Sequence, residues 1–192
     1  MFATRNKKKV EEVRRILADL NVSILTLDDF PQCPEVDEDA ETFEGNAIKK
    51  AVVISKCIGM LTFSDDSGLE VYALNGAPGV KSARYAGDRS NDMANNEKLL
   101  DELADIGHES RGARFICIIA IAFPDGETQT FQGIVEGLIG KKPIGTMGFG
   151  YDPLFYPEGF DTTFGQMSPE EKDSVSHRRR ALEKLKTYLK SL

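Results

Sequence analysis

Residues 62–72 read TFSDDSGLEVY, and the four residues DDSG at their centre decide how the chain folds around them. Thr62–Ser64 and Leu69–Tyr72 carry the β-branched, aromatic and aliphatic side chains of strands. Asp, Ser and Gly are turn formers, because short polar side chains bond the nearby backbone and glycine tolerates positive φ. The local reading is therefore two strands flanking a turn. If the chain stayed extended instead, Asp65 and Asp66 would face opposite sides of a strand and hold different jobs. One could then hold a divalent metal while the other orients it or takes a proton from water.

Working outward, the pattern alternates strands with helices. Met1–Ala3 reads as a short strand. Lys7–Leu20 reads as a helix with Val10, Val13, Leu17 and Leu20 at helical spacing, and Asn6 is its N-cap. Ser23–Leu27 reads as a strand. After the acidic loop, a helix carries Phe43, Ala47, Ile48, Ala51 and Ile54, with Gly45 costing about 1 kcal/mol against alanine near its start. Met93–Leu103 reads as a helix, and Arg114–Phe123 with Thr128–Val135 as a hairpin across PDGE. GTMGFGYDP is a structured loop. Ser168-Pro169-Glu170-Glu171 has the spacing of a capping box, and the last helix turns Leu182, Leu185, Leu189 and Leu192 inward. The fold class is mixed α/β, with residues 1–192 as a single domain.

The chain has 192 residues, 41% of them hydrophobic and 29% charged, with a net charge of −7. That size buries a proper core. The acidic balance argues against coating nucleic acid, yet leaves room for a local basic pocket. Cys33, Cys57 and Cys117 include no CxxC pair, so neither a disulfide framework nor a zinc site is expected. The longest apolar run, FICIIAIAF, is too short to span a bilayer. With no signal-peptide pattern at the start, the expectation is a cytoplasmic protein engaging neither membrane nor nucleic acid.

Against that acidic background, TRNKKK places Arg5, Lys7, Lys8 and Lys9 around a helix start. The positive end of the helix dipole disfavours cations there by roughly 0.3–1 kcal/mol each. The same place suits phosphate, because free N–H groups at a helix mouth bind anions and lysines add charge. A solvated basic face offset by Glu11 and Glu12 is the plainer alternative. The oddity recurs in SHRRRALEKL, where Ser176 caps a helix starting with His177, Arg178, Arg179 and Arg180. Six of the ten residues from Glu35 to Glu44 are acids, of which one at most is expected to hold a metal. In GFGYDP, Phe149 and Tyr151 offer flat surfaces and Asp152 an acceptor, suited to a nucleobase or to packing on the core. A nucleoside triphosphate with a divalent metal needs all of these chemistries together.

TRNKKK, ETFEGNAIKKA, SDDSGLEVYALNGAPGVKSARYAG, GTMGFGYDPLF and EEKDSVSHRRRAL, in this order, resemble the blocks of the inosine triphosphate pyrophosphatases, or Ham1-like proteins. The resemblance runs from Thr4 to about Leu185. It implies Mg²⁺-dependent hydrolysis of ITP, dITP and XTP to monophosphate and pyrophosphate. It also implies an elongated mixed β-sheet flanked by helices, in two lobes with a central substrate cleft, and a homodimer.

By motif, Thr4, Arg5, Asn6, Lys7, Lys8 and Lys9 belong to the triphosphate loop, with Lys50 facing the phosphates. Glu38, Asp65 and Asp66 fall at the metal, Asp66 also being the general base. Ser67 touches substrate. Phe149, Gly150, Tyr151 and Asp152 form the base loop, in which Phe149 stacks on the purine. Asp152, Lys172, His177 and Arg178 read the purine edge. This chain departs from the family pattern in having only MFA before Thr4, Met147 where glycine is common, and Gly45 where an acid is common. Two rival functions fit parts of the pattern: a phosphatase forming an aspartyl-phosphate on DDSG, and a nucleotide sensor without turnover.

Overall fold

The DDSG stretch does not turn. In a computed structural model of the chain, which describes residues 1–20, 22–87 and 91–191, Thr62–Val71 form one unbroken strand, β1. The turn expected from composition is overridden because both carboxylates find cationic partners in the extended conformation. Asp65 is held by Lys9 and Arg178, and Asp66 by Lys50. Local turn chemistry competes only where tertiary partners are absent.

The other elements, in chain order, are α1 (Lys7–Ile16), α2 (Phe43–Ile58), α3 (Asp92–Glu102), β2 (Gly112–Ala122), β3 (Thr128–Ile139), β4 (Phe155–Pro157), α4 (Pro169–Val175) and α5 (His177–Leu189). The sheet order is β1-β2-β3-β4, with β3 and β4 antiparallel and Leu138 opposite Tyr156. The chain divides into two compact units, residues 1–66, 117–133 and 178–192 in the first, and 67–116 and 134–177 in the second.

In the first unit, α1 contributes Val13, Ile16 and Leu17 and α5 contributes Ala181, Leu182 and Leu185. They pack with Phe2, Phe63, Cys117, Ile119 and Ile121. The Phe2 ring stacks on Phe63 with centroids 4.7 Å apart. The expected strands at Met1–Ala3 and Ser23–Leu27 shrink to single parallel bridges from Phe2 to Thr26 and to Phe63. Thr26 already turns into a short 3₁₀ segment at Leu27–Asp29, because the Asp29 carboxylate accepts the Thr26 N–H at 2.8 Å. Helix α1 stops at Ile16 rather than Leu20. Asp19 would oppose the negative end of the dipole, and it pairs with Lys186 instead. Leu189 is half-buried, and Leu192 lies outside the described residues.

In the second unit, Leu69, Leu99, Leu103, Phe115, Ile139, Leu154, Phe155 and Phe164 form the core. Arg111, legible in the sequence only as a charge, is 4% exposed. It donates to the carbonyls of Leu103 and Ile106, just beyond the end of α3, and to that of Gly140, just beyond β3. The box at Ser168 forms as expected, Ser168 accepting the Glu171 N–H at 3.2 Å. FICIIAIAF lies in or just beyond β2, and among the described residues no helix is long and apolar enough to cross a membrane.

The cysteine expectation is corrected. Cys33 and Cys57 form a disulfide with Cα atoms 6.0 Å apart, and Cys117 is a buried thiol. Spacing gave no sign of it, because the last turn of α2 returns to the loop preceding that helix. Thiol titration of unfolded, unreduced protein is expected to count one cysteine, and three after reduction. Cys57→Ser is expected to lower the unfolding free energy by about 3 kcal/mol, the closure entropy of a loop of this length.

Candidate active site

In the first unit the site begins at the mouth of α1. Thr4 Oγ1 accepts the Asn6 N–H at 3.1 Å, and Asn6 Oδ1 accepts the Lys9 N–H at 3.2 Å. These two turns leave Arg5, Asn6, Lys7 and Lys8 exposed and bring Lys9 inward. Lys9 Nζ lies 3.1 and 3.0 Å from the two Asp65 oxygens. Asp65 Oδ2 also accepts from Arg178 at 3.1 Å, and Arg178 in turn pairs with Glu12. Lys9, Asp65, Arg178 and Glu12 thus alternate in sign, joining α1, β1 and α5.

Burial alone would raise the Asp65 carboxyl, but Lys9, Arg178 and Lys50 outweigh it and hold it well below the ordinary range. Arg178 is 1% exposed, and Glu12 and Asp65 hold its charge on despite burial. The structure therefore differs from two expectations. Asp65 spends both oxygens on cations rather than standing open to a metal. Arg178 is committed to carboxylates rather than presented to a base edge.

Asp66 has other company. Lys50, on α2, donates to Glu38 and lies 3.5 Å from Asp66 Oδ1. Asp66 Oδ2 is buried and has no hydrogen-bond partner. Burial raises the Asp66 carboxyl, and Glu38 and Asp65 add to the rise, against Lys50 and Lys9. Lys50 is pulled down by burial and raised further by Asp66, Glu38 and Asp65, so it stays charged.

Glu38 is brought there by Asn46, a residue inside the quoted ENA-like block to which the sequence gave no role. Asn46 is 1% exposed, and its amide accepts the Ala40 N–H at 2.9 Å. That anchor pins the acidic loop beside α2, whose N-cap Thr42 accepts the Gly45 N–H. Among the described residues no group of three metal-ligating side chains gathers. Two carboxylates converging on one cation still suit Mg²⁺, which takes one or two protein carboxylates and completes its shell with phosphates and water. The orphaned Asp66 oxygen fits the same demand.

The second unit holds the other chemistry. Asp152 is 2% exposed, and its Oδ2 accepts from the Phe149 N–H at 2.8 Å and from Lys172 Nζ at 2.6 Å. Lys172 also sits over the Phe149 ring, 4.7 Å from its centroid. Gly148, at φ +74°, makes room for this: a Cβ there would lie 2.0 Å from Asp152 Oδ2. Phe149 is half-buried, whereas Tyr151 is 3% exposed and donates its hydroxyl to the Ser82 carbonyl at 2.9 Å. Tyr151 is thus an anchor for the loop rather than a second flat surface. His177 stacks on Phe115 at 4.8 Å, nearly parallel, and Ser67 is half-buried in β1. Met147 turns its side chain to solvent while its N–H donates to the Gly165 carbonyl, so the departure from glycine leaves the backbone role intact.

A family model described as the Ham1 family matches residues 1–188. The dITP/XTP pyrophosphatase of Geobacter sulfurreducens is 50% identical over 98% of this chain and 95% of its own length. That of Bacillus licheniformis is 47% identical over 98% and 96%. Among solved structures, a HAM1 protein from Coxiella burnetii superposes with a TM-score of 0.91 at 38% identity, covering 100% of this chain and 98% of its own. A nucleoside-triphosphatase / dITP/XTP pyrophosphatase from Mycobacterium abscessus gives 0.79 at 46% identity, covering 96% of each.

Asp65→Asn leaves Lys9 and Arg178 without their shared counter-charge and is expected to cost about 3 kcal/mol of stability at pH 7. Because the folded carboxyl is depressed, its contribution is complete above the unfolded value of about 3.9 and is lost as pH falls toward the folded one. Urea melts of wild type and D65N should therefore differ by a constant amount above about pH 5 and converge in stronger acid.

Proposed function

This chain belongs to the Ham1 family, and on that footing we propose that it hydrolyses dITP, XTP and ITP to the nucleoside monophosphate and pyrophosphate with Mg²⁺. The observation that carries the reading is Asp66: a buried carboxylate with one oxygen toward Lys50 and the other hydrogen-bonded to nothing. A raised carboxyl with an unspent oxygen is suited to accept a proton from water.

Each group then has a task. The mouth of α1, with Thr4, Asn6 and the exposed Lys7 and Lys8, takes the anionic triphosphate. Lys9 and Lys50 neutralise charge on the leaving pyrophosphate, and Asp66 deprotonates the water that attacks the α-phosphorus. Glu38 and Asp66 are the residues that would hold Mg²⁺, which supplies further positive charge to the phosphate oxygens when bound. Asp65 keeps Lys9 in place.

Phe149 stacks on the purine while Lys172 and Asp152 address its edge. An ammonium beside a carboxylate matches a 6-oxopurine, which offers an acceptor at O6 and a donor at N1–H. Adenine reverses both and would leave the pair unsatisfied, a mismatch that hydrogen-bonding sites reject strongly. The same reading includes a cytoplasmic homodimer acting on free nucleotides without nucleic acid or membrane, supported by the family pattern and the charge of −7.

Purified protein with Mg²⁺ and dITP, XTP, ITP, ATP or GTP, assayed for pyrophosphate and orthophosphate separately, tests the reaction. Pyrophosphate from the first three with little from ATP is expected, and orthophosphate or no turnover would overturn it. Asp66→Asn is expected to lower kcat about a thousandfold with the fold retained by circular dichroism. Lys9→Ala is expected to raise KM about tenfold, the worth of one charge-assisted contact.

A further inference from the structure

Gly150 separates Phe149 from Tyr151 and Asp152, and a side chain at its position would meet open space. It adopts φ +61°, and a Cβ built there would meet no atom within 4 Å. A glycine in open space has the widest conformational choice of any residue, and Gly148 on the other side of Phe149 also has positive φ. On the Gly148 side the Phe149 N–H is held by Asp152 Oδ2 at 2.8 Å, so the ring keeps its plane only if the Gly150 side is fixed as well.

The restraint comes from one turn of α3. The Gly150 N–H donates to Asp92 Oδ2 at 2.8 Å, and the Gly150 carbonyl accepts from Asn96 Nδ2 at 3.1 Å. Asp92 and Asn96 are four apart on the helix and so share a face. Asn96 is 8% exposed, which shields its bond from water. Asn95, next in the chain, holds the neighbouring segment. Its amide accepts the Ala86 N–H at 2.8 Å and donates to the Ala83 carbonyl at 3.1 Å. That segment includes Ser82, whose carbonyl receives the Tyr151 hydroxyl.

We propose that Asp92 and Asn96 are positioning residues that set base selectivity, by clamping both sides of Gly150 and so fixing Phe149 against Lys172 and Asp152. The inference rests on the reading that this loop receives the purine. A binding surface must be held to about 0.5 Å and 10–20° to discriminate, and here two hydrogen bonds hold the Gly150 side of the ring. The loss falls most on the base that fits best.

The test is steady-state hydrolysis of dITP and dATP by D92A, N96A, D92N and F149A, with thermal melts of each. D92A and N96A are each expected to raise KM for dITP roughly fivefold, one hydrogen bond's worth, with kcat little changed. The preference for dITP over dATP should narrow. D92N keeps an oxygen for the Gly150 N–H and is expected to restore KM and preference. Lower kcat with KM and preference unchanged would mark a merely structural role and overturn the proposal, as would D92N behaving like D92A. If F149A raises KM while D92A and N96A do not, the clamp is wrong and the base-loop reading survives. If F149A leaves KM unchanged, that reading fails and takes the clamp with it.

Discussion

The first unit depends on a buried carboxylate, Asp65, shared by two cations from different helices. Lys9 comes from α1 and Arg178 from α5, and Glu12 closes the series. Burying such charges is costly, and removing one partner leaves another stranded. The series therefore fixes where α1 and α5 sit against β1 more strictly than the apolar contacts of Val13, Ile16, Leu182 and Leu185, which tolerate sliding. It also explains the cations in the first turn of α1. Lys9 is held by Asp65, while Lys7 and Lys8 are exposed at the helix mouth, an arrangement that makes sense when an anion completes it.

That commitment divides two adjacent aspartates that the sequence writes alike. Asp65 is driven below the ordinary carboxylate range by its cations, whereas Asp66 is pushed up by burial with a single close cation. Neighbouring acids displaced in opposite directions take different roles. One stays ionised and holds a lysine and an arginine in place, and the other retains proton affinity and an unspent oxygen. The adjacent pair yields this division only because the strand is continuous, since a turn at DDSG would give the two side chains a common environment.

Residues whose role depends on spacing along one element were legible in the sequence. The Asn6 cap, the Ser168 box, the inward face of α2 and the strands on either side of PDGE all follow from local periodicity and capping. The turn assigned to DDSG was not sustained, because the partners that straighten it lie 56 and 113 residues away in sequence. Distance along the chain likewise hid the Cys33–Cys57 bond, the Asn46 anchor and the hold of α3 on Gly150. Aromatic residues misled in a related way. Phe149 and Tyr151 look equivalent in GFGYDP, but the phenol oxygen finds a buried carbonyl and draws Tyr151 inward. Phe149 is instead half-buried, with the Lys172 ammonium over its ring.

The position of Lys50 gives the site its economy. An ammonium with Glu38 and Asp66 for company occupies the electrostatic place that a divalent ion would take, and it keeps the half-buried Glu38 and the buried Asp66 from repelling one another. On the proposed reading, a divalent ion held by Glu38 and Asp66 would supply positive charge there, and Lys50 would be left to face the phosphate oxygens. Lys50 remains charged throughout, being raised by Asp66, Glu38 and Asp65 against burial. On the proposed reading the same side chain steadies the acids before substrate binds and would steady the phosphates afterwards.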